Sequence, residues 1–294
     1  MESKKIYSLD LLRGVAGYGV AITHYMYFVK DKLNFEYYSF IFVEIFFILS
    51  GFVLSKQLIK VYNDRSHLKI FYLRRLLRTI PLYLIALIFY TAISNNFNHD
   101  FFKFLFFIQK IIPDFVSDNY FMVAWSLSIE EFFYLIFPIY LISLRKFKAV
   151  HLAIFFIIIL SIIKIVSHES FSNDFLRTGT LMRLDSIALG FLLGIYIESL
   201  AKFKKIIAFL TFLILMIFLN YQNTFLNVNS LNTIYFIFLS QFFSILILIF
   251  FYNIEFLIKT DILKKVCIKV ATQTYSVYLF HLIIMHFLIM LDIN

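Results

Sequence analysis

The sequence predicts an all-α fold: a polytopic transmembrane helix bundle of about nine spans, with one short interfacial or re-entrant segment. Three observations predict it. Hydrophobic residues make up 62% of the 294-residue chain and charged residues 15%, against roughly 45–50% and about 25% in soluble domains. An excess of that size cannot be enclosed in one water-soluble core, so the surplus faces lipid. The apolar residues also fall in runs close to the ~20 residues needed to cross a hydrocarbon layer. Finally, Lys and Arg lie mostly between those runs, as they do in chains with positive cytoplasmic loops.

The runs cover 9–28, 39–57, 77–94, 121–143, 149–166, 183–200, 205–221, 232–252 and 271–291. The first holds Arg13 and His24 and lacks a small-residue cleavage site, so it reads as a span rather than a signal peptide. Five basic clusters orient the set. Lys4 and Lys5 precede the first run. Lys56, Lys60, Arg65, Lys69, Arg74, Arg75 and Arg78 fill the second connection. Arg145, Lys146 and Lys148 form the third cluster, Lys202, Lys204 and Lys205 the fourth, and Lys259, Lys264, Lys265 and Lys269 the fifth. Strict alternation over nine spans puts all five in the cytoplasm, leaves loop 222–231 outside, and makes the N-terminus inside and the C-terminus outside. Segment 101–112 is apolar but short and contains Lys103 and Lys110. Counted as a span it would invert every later cluster, so it is expected on the outer surface. No internal repeat or linker interrupts the chain, and residues 1–294 read as one domain.

The net charge of +9 is accounted for by this topology, so no nucleic-acid partner is expected. The single Cys267 excludes an internal disulfide and a multi-Cys metal site. No metal-ligand spacing, Gly-rich phosphate loop or Gly-x-Ser-x-Gly elbow occurs, and no metal is expected. The 40 Phe and 19 Tyr, with much Ile, Lys and Asn, reflect an AT-rich coding composition and carry no functional weight.

Ionisable residues inside spans are costly and usually face a bundle interior or water-filled cavity. Arg13 and His24 are eleven residues apart, about three turns, so they share a face roughly 16 Å apart along the axis. Asp10 precedes Arg13 by one turn and could pair with it, and Gly14, Gly17 and Gly19 allow close helix approach. Taken singly, Arg13 reads equally as snorkelling to lipid phosphate and His24 as bonding a backbone carbonyl. On one shared face the two favour a lined cavity. Glu130 and Glu131 stand in VAWSLSIEEFFYLIFPIYL, with Ser126 one turn before Glu130. Entering from outside, Glu130 reaches a depth close to that of His24, where a carboxylate would orient an imidazole for general-base work. The plainer reading is a Glu bonding Ser or Tyr to hold helices together. Arg75 and Arg78, one turn apart in FYLRRLLRTIPLY, could grip one polyanion, although topology or anionic lipid alone would account for them. Arg183 and Asp185 sit at the outer end of a span, and His281 lies mid-span, where a single His more often makes a packing bond.

These segments, in this order, resemble the acyltransferase 3 family of membrane O-acyltransferases. The resemblance is carried by LDLLRGVAGYGVAITH, EIFFILSGFVLS, RRLLRTIPLY, WSLSIEEFFYLIFP, RLDSIALGFLLG and YSVYLFH, and it covers nearly the whole chain. It implies transfer of an acyl group, often acetyl from cytoplasmic acetyl-CoA, to a hydroxyl of envelope carbohydrate or glycolipid. It puts Arg13 and His24 on the family's essential pair, Arg75 and Arg78 on its Arg-x-x-Arg motif, and Glu130 on its more constant acidic position. Members usually continue into a further span after the YSVYLFH helix, so a chain stopping at Asn294 reads as a compact or truncated member.

The mechanism that follows puts the phosphates of a CoA donor on Arg75 and Arg78, with Arg13 at the mouth. His24 then acts as base or as a short-lived acyl-imidazole nucleophile, Glu130 orients it, and Arg183 and Asp185 border the acceptor. Acyl-CoA is a substrate here and no cofactor is held permanently. Membrane lipids, a homo-oligomer or glycan-assembly partners complete the expected company. The localisation expected is the bacterial cytoplasmic membrane. A transporter or flippase of an envelope precursor, or an inactive member kept as an assembly partner, is the alternative the same residues allow.

Overall fold

The computed structural model describes residues 5–30, 34–117, 119–226 and 229–290. Lys4, positions 227 and 228 of the loop 222–231 expected outside, position 291 of the final run and Asn294 lie outside the described residues. Among the described residues there are α-helices, two short 3-10 turns and no strand. The helices are α1 (Tyr7–Lys30), α2 (Asn34–Asn63), α3 (His67–Ser94), α4 (His99–Leu105), α5 (Ala124–Ser143), α6 (Ala149–Val166), α7 (Asn173–Thr178), α8 (Leu184–Leu200), α9 (Lys204–Leu226), α10 (Ser230–Asn253) and α11 (Asp261–Met290).

Nine of these, all but α4 and α7, run seventeen residues or more, and each covers one of the apolar runs. Six segments meet the length and apolarity of a span on their own: Tyr37–Asn63, His67–Ser94, Ala124–Ser143, Ala149–Val166, Leu184–Asn220 and Ser230–Leu257. The fifth joins α8 and α9 through the 3-10 turn Ala201–Phe203. α1 carries Asp10, Arg13 and His24, and α11 three lysines, all in its first three turns, and two histidines.

The chain divides into two compact units. One comprises residues 1–49, 196–227 and 236–294, and the other residues 50–195 and 228–235.

The first unit is organised around α1 and α11. A Cβ at Gly14 would collide with the Val270 side chain, and one at Gly17 with that of Thr274. Residue numbers rise together along the contact, so the two helices run parallel. Missing Cβ atoms let the backbones approach, the device of small-residue helix interfaces in membranes. The first N–H groups of α1, which have no intrahelical acceptor, are taken by Glu255. Its carboxylate accepts from Tyr7 N at 3.2 Å and Ser8 N at 2.7 Å, adding a negative charge at the positive end of the helix dipole. Tyr37, Phe40, Phe218, Phe236 and Phe243 form a buried aromatic cluster, with Tyr37 stacked on Phe236 at 4.6 Å between centroids.

In the second unit the long helices alternate in direction. Tyr72 of α3 donates to the Leu135 carbonyl of α5, while Thr79 of α3 meets Glu131 of α5, an antiparallel order. Tyr140 of α5 donates to the Leu152 carbonyl of α6, and Phe137 packs on Phe156, again antiparallel. Because α3 ends and α5 begins at the same end, the described residues between them, 95–117 and 119–123, return without crossing. The segment expected to be interfacial or re-entrant is accordingly the seven-residue α4 and an irregular stretch behind it. That stretch is pinned by its polar groups. Asp100 takes Lys103 at 2.8 Å and the backbone and hydroxyl of Ser117, and Gln109 donates to the Ala124 carbonyl at 3.0 Å. Phe107, at φ 60°, stacks on Tyr83 at 4.4 Å, packing that offsets a left-handed backbone disfavoured for a bulky residue.

α2 and α8 meet at Gly51, where an added Cβ would run into the Ile187 carbonyl oxygen. A carbonyl in a helix cannot swing away as a side-chain tip can. Gly51→Ala is expected to lower stability by about 1–3 kcal/mol, the usual cost of overpacking. Thermal unfolding in detergent, read by tryptophan fluorescence, checks it.

Candidate active site

Polar side chains collect at three places, each within one unit. In the first unit, the close approach of α1 and α11 brings His24 against His281. His24 Nδ1 lies 2.8 Å from His281 Nε2, and the rings stack at 5.1 Å with an interplanar angle of 19°. On its other side His281 Nδ1 lies 2.8 Å from the Tyr278 carbonyl oxygen and 3.2 Å from that of Val277. His281 is buried and His24 half-buried. The nitrogen of His24 that an orienting carboxylate would hold in a triad-like arrangement is thus engaged by a second imidazole. Arg13, half-buried, stands three turns earlier on α1. Asp10 makes an ion pair with Lys5 at 3.4 Å.

In the second unit Arg75 and Glu130 belong to one cluster. Arg75 Nη2 donates to Gln57 Oε1 at 3.1 Å, and its guanidinium carbon lies 6.0 Å from the Phe71 ring and 5.8 Å from the Tyr134 ring. Tyr134 in turn donates to Glu130 Oε2 at 3.1 Å. A carboxylate accepts only, so the Ser50 hydroxyl, 2.7 Å from Tyr134, donates into the chain Ser50–Tyr134–Glu130. Glu131, the second of the acidic pair, lies 2.7 Å from Thr79 Oγ1. Arg75 is buried and Arg78 exposed: on one helix the two arginines of the motif point to different surroundings. A flat guanidinium suits the inward position, stacking on rings while donating to an amide.

The third place joins α6 to α8. Lys164 Nζ and Asp185 Oδ2 are 2.7 Å apart with both side chains fully buried, and Arg183 is fully buried two residues away. Sequence reasoning named Arg183 and Asp185 without Lys164, although a lysine in the apolar run AIFFIIILSIIKIV is signal enough. From sequence alone His281 reads as a packing residue, and nothing there singles out Tyr134, Gln57 or Ser50. Spacing along one helix cannot show which residue of another helix will face it.

A family model described as an acyltransferase domain matches residues 6–294. The chain belongs to this acyltransferase family. With its six candidate spans it is an integral membrane protein. Among curated proteins, this family member is 30% identical over 223 residues to an O-acetyltransferase, OatA, of Staphylococcus aureus (strain NCTC 8325 / PS 47), an alignment covering 67% of the chain and 36% of the relative. It is 31% identical over 164 residues to the peptidoglycan O-acetyltransferase OatA of Listeria monocytogenes, covering 49% of the chain and 25% of the relative. The acyltransferase chain thus spans about a third of the length of the curated relatives it matches. No solved structure matches it.

Proposed function

We propose that the chain transfers an acetyl group from acetyl-CoA to a hydroxyl of envelope carbohydrate, working in the bacterial cytoplasmic membrane. The observation that carries this reading is an imidazole held in a defined pair on α1 of an acyltransferase-family chain. An imidazole so placed supplies a base or nucleophile for acyl transfer. The relatives named O-acetyltransferases support acetyl as the group and oxygen as its destination. One of those names makes peptidoglycan the first acceptor to test.

In this reading Arg78 meets the phosphates of CoA, and Arg75 ties the same turn to Gln57 and Tyr134. Arg13 stands at the donor mouth. Glu130, joined to the Arg75 turn through Tyr134, sets the charge of the path between donor and acceptor, and the Arg183–Asp185–Lys164 group borders the acceptor side. The nine long helices supply the spans. Parallel α1 and α11 require an odd number of crossings between them, so α1 begins and α11 ends on opposite sides; the basic clusters support the inside for the first.

Membranes containing the chain, given acetyl-CoA labelled in the acetyl group, are expected to pass label into envelope glycan as an alkali-labile ester. Stable protein with no ester-linked label, whatever glycan is offered, would count against acetyl transfer. Arg75→Lys is expected to cut transfer about tenfold, since an ammonium cannot replace a guanidinium that stacks and donates at once. Arg78→Lys is expected to stay within about threefold, because a point charge still binds phosphate. Initial rates against acetyl-CoA concentration check both.

A further inference from the structure

We infer that His281 is a positioning residue that fixes the tautomer of His24, so that Nε2 of His24 is the nitrogen that reacts. The inference rests on the acyl-transfer reading above and adds to it a residue and a direction.

The hydrogen-bond roles follow from what each neighbour can do. The Tyr278 and Val277 carbonyl oxygens can only accept, and both face His281 Nδ1. That nitrogen therefore carries a proton. A neutral imidazole has one N–H, which leaves His281 Nε2 with a lone pair. The atom facing that lone pair at 2.8 Å is His24 Nδ1, which must then be the protonated nitrogen of its own ring. The remaining lone pair of His24 lies on Nε2, on the side of the ring away from His281. Carbonyl, imidazole and imidazole form a directed relay anchored in the backbone of α11. It does for His24 what a carboxylate does for the histidine of a triad, without placing another full charge in the bilayer.

The direction matters for the chemistry. As base, His24 Nε2 takes the proton of the acceptor hydroxyl while its oxygen bonds to the thioester carbonyl carbon. The carbon–sulfur bond breaks, and the sulfur leaves as CoA thiol with the proton returned from Nε2. The products are the ester and free thiol, with His24 unchanged. During the step His24 is an imidazolium, and its Nδ1–H bond to His281 becomes charge-assisted and stronger. As nucleophile, the same Nε2 would bond to the carbonyl carbon as the carbon–sulfur bond breaks and CoA leaves as thiolate. The acceptor oxygen would then take the acyl group from Nε2, its proton passing to the thiolate, with Nδ1–H held throughout. Either way the pairing favours the charged form of His24 over the resting one, as catalysis requires.

The test uses the full chain in membranes. His281→Phe keeps ring volume but removes the acceptor, and is expected to lower kcat about a hundredfold with the KM for acetyl-CoA within about twofold. His281→Gln restores an acceptor oxygen and is expected to recover to within about tenfold of wild type. Unchanged kcat in His281→Phe, or equal losses in Phe and Gln variants of wild-type folded yield, would overturn the proposal. A second measurement does not depend on turnover. Solid-state NMR of 15N-histidine-labelled protein, with His24 assigned by loss of its signals in His24→Ala, is expected to show Nδ1 protonated and Nε2 bare in the neutral ring. Loss of that preference in His281→Phe supports the pairing. A His24 protonated at Nε2 in the wild type, or a doubly protonated His281, overturns it. If the wild type passes no label from acetyl-CoA, the acetyl reading falls and the nitrogen spectrum still decides the pairing.

Discussion

His24→Ala is expected to leave transfer at or below about a thousandth of the wild-type rate, the scale on which removal of a base or nucleophile from an acyl-transfer site is felt. The alanine sits on an exposed-to-buried boundary of α1 and is a good helix former, so folded yield should hold. The loss should appear in kcat, because the proposed phosphate site lies on α3 and an interaction made mainly in the transition state leaves KM nearly unchanged. The check is the initial rate of ester-linked label at saturating acetyl-CoA, normalised to folded protein. Near-wild-type activity in His24→Ala would remove the residue from the mechanism while leaving the family assignment untouched.

The largest expected effect on stability lies at the buried charges between α6 and α8. Lys164, Arg183 and Asp185 are fully buried, two cations to one anion. Asp185→Asn removes the only negative charge of the three and breaks the buried ion pair with Lys164, so it is expected to cost about 3–5 kcal/mol, the penalty for breaking a buried pair. Lys164→Met leaves Asp185 beside Arg183 and is expected to cost less, about 1–3 kcal/mol, on the scale of an unmade buried hydrogen bond. The double variant should fall near Lys164→Met plus much less than the full Asp185→Asn cost, because neighbours in one network are not additive. Thermal unfolding of the three variants in detergent checks the order. A Lys164→Met loss exceeding that of Asp185→Asn would contradict it.

The fold was legible wherever lipid imposes its own rule. Apolar runs near 149–166 and 183–200 became α6 and α8 almost residue for residue, because hydrophobicity fixes both where such a helix starts and where it stops. The rule fails where a helix leaves the bilayer. α3 begins at His67, ten residues before its apolar run, and α11 at Asp261, likewise ten. Those extensions are rich in Lys, Arg and Leu, good helix formers too charged to read as spans. The candidate site can be proposed from residue type but not from pairing. Arg75, Glu130 and His24 stand out as charges or imidazoles in apolar surroundings, yet nothing along α1 announces that the partner of His24 lies on α11. Glu44 makes the same point: fully buried on α2, it was visible in EIFFILSGFVLS only as part of a family motif.

The pairing of α1 with α11 also sets the order of assembly. Some 248 positions separate Tyr7 from the Glu255 that caps it. At roughly 5–20 residues per second, α1 waits on the order of ten seconds to a minute in the bilayer before its neighbour leaves the ribosome. Until then Gly14 and Gly17 lack the Val270 and Thr274 side chains that pack on them, and the imidazole of His24 has no relay behind it. In the proposed mechanism the reacting imidazole is therefore paired only once α11 has been made, and a chain stalled before α11 is expected to transfer no acetyl group.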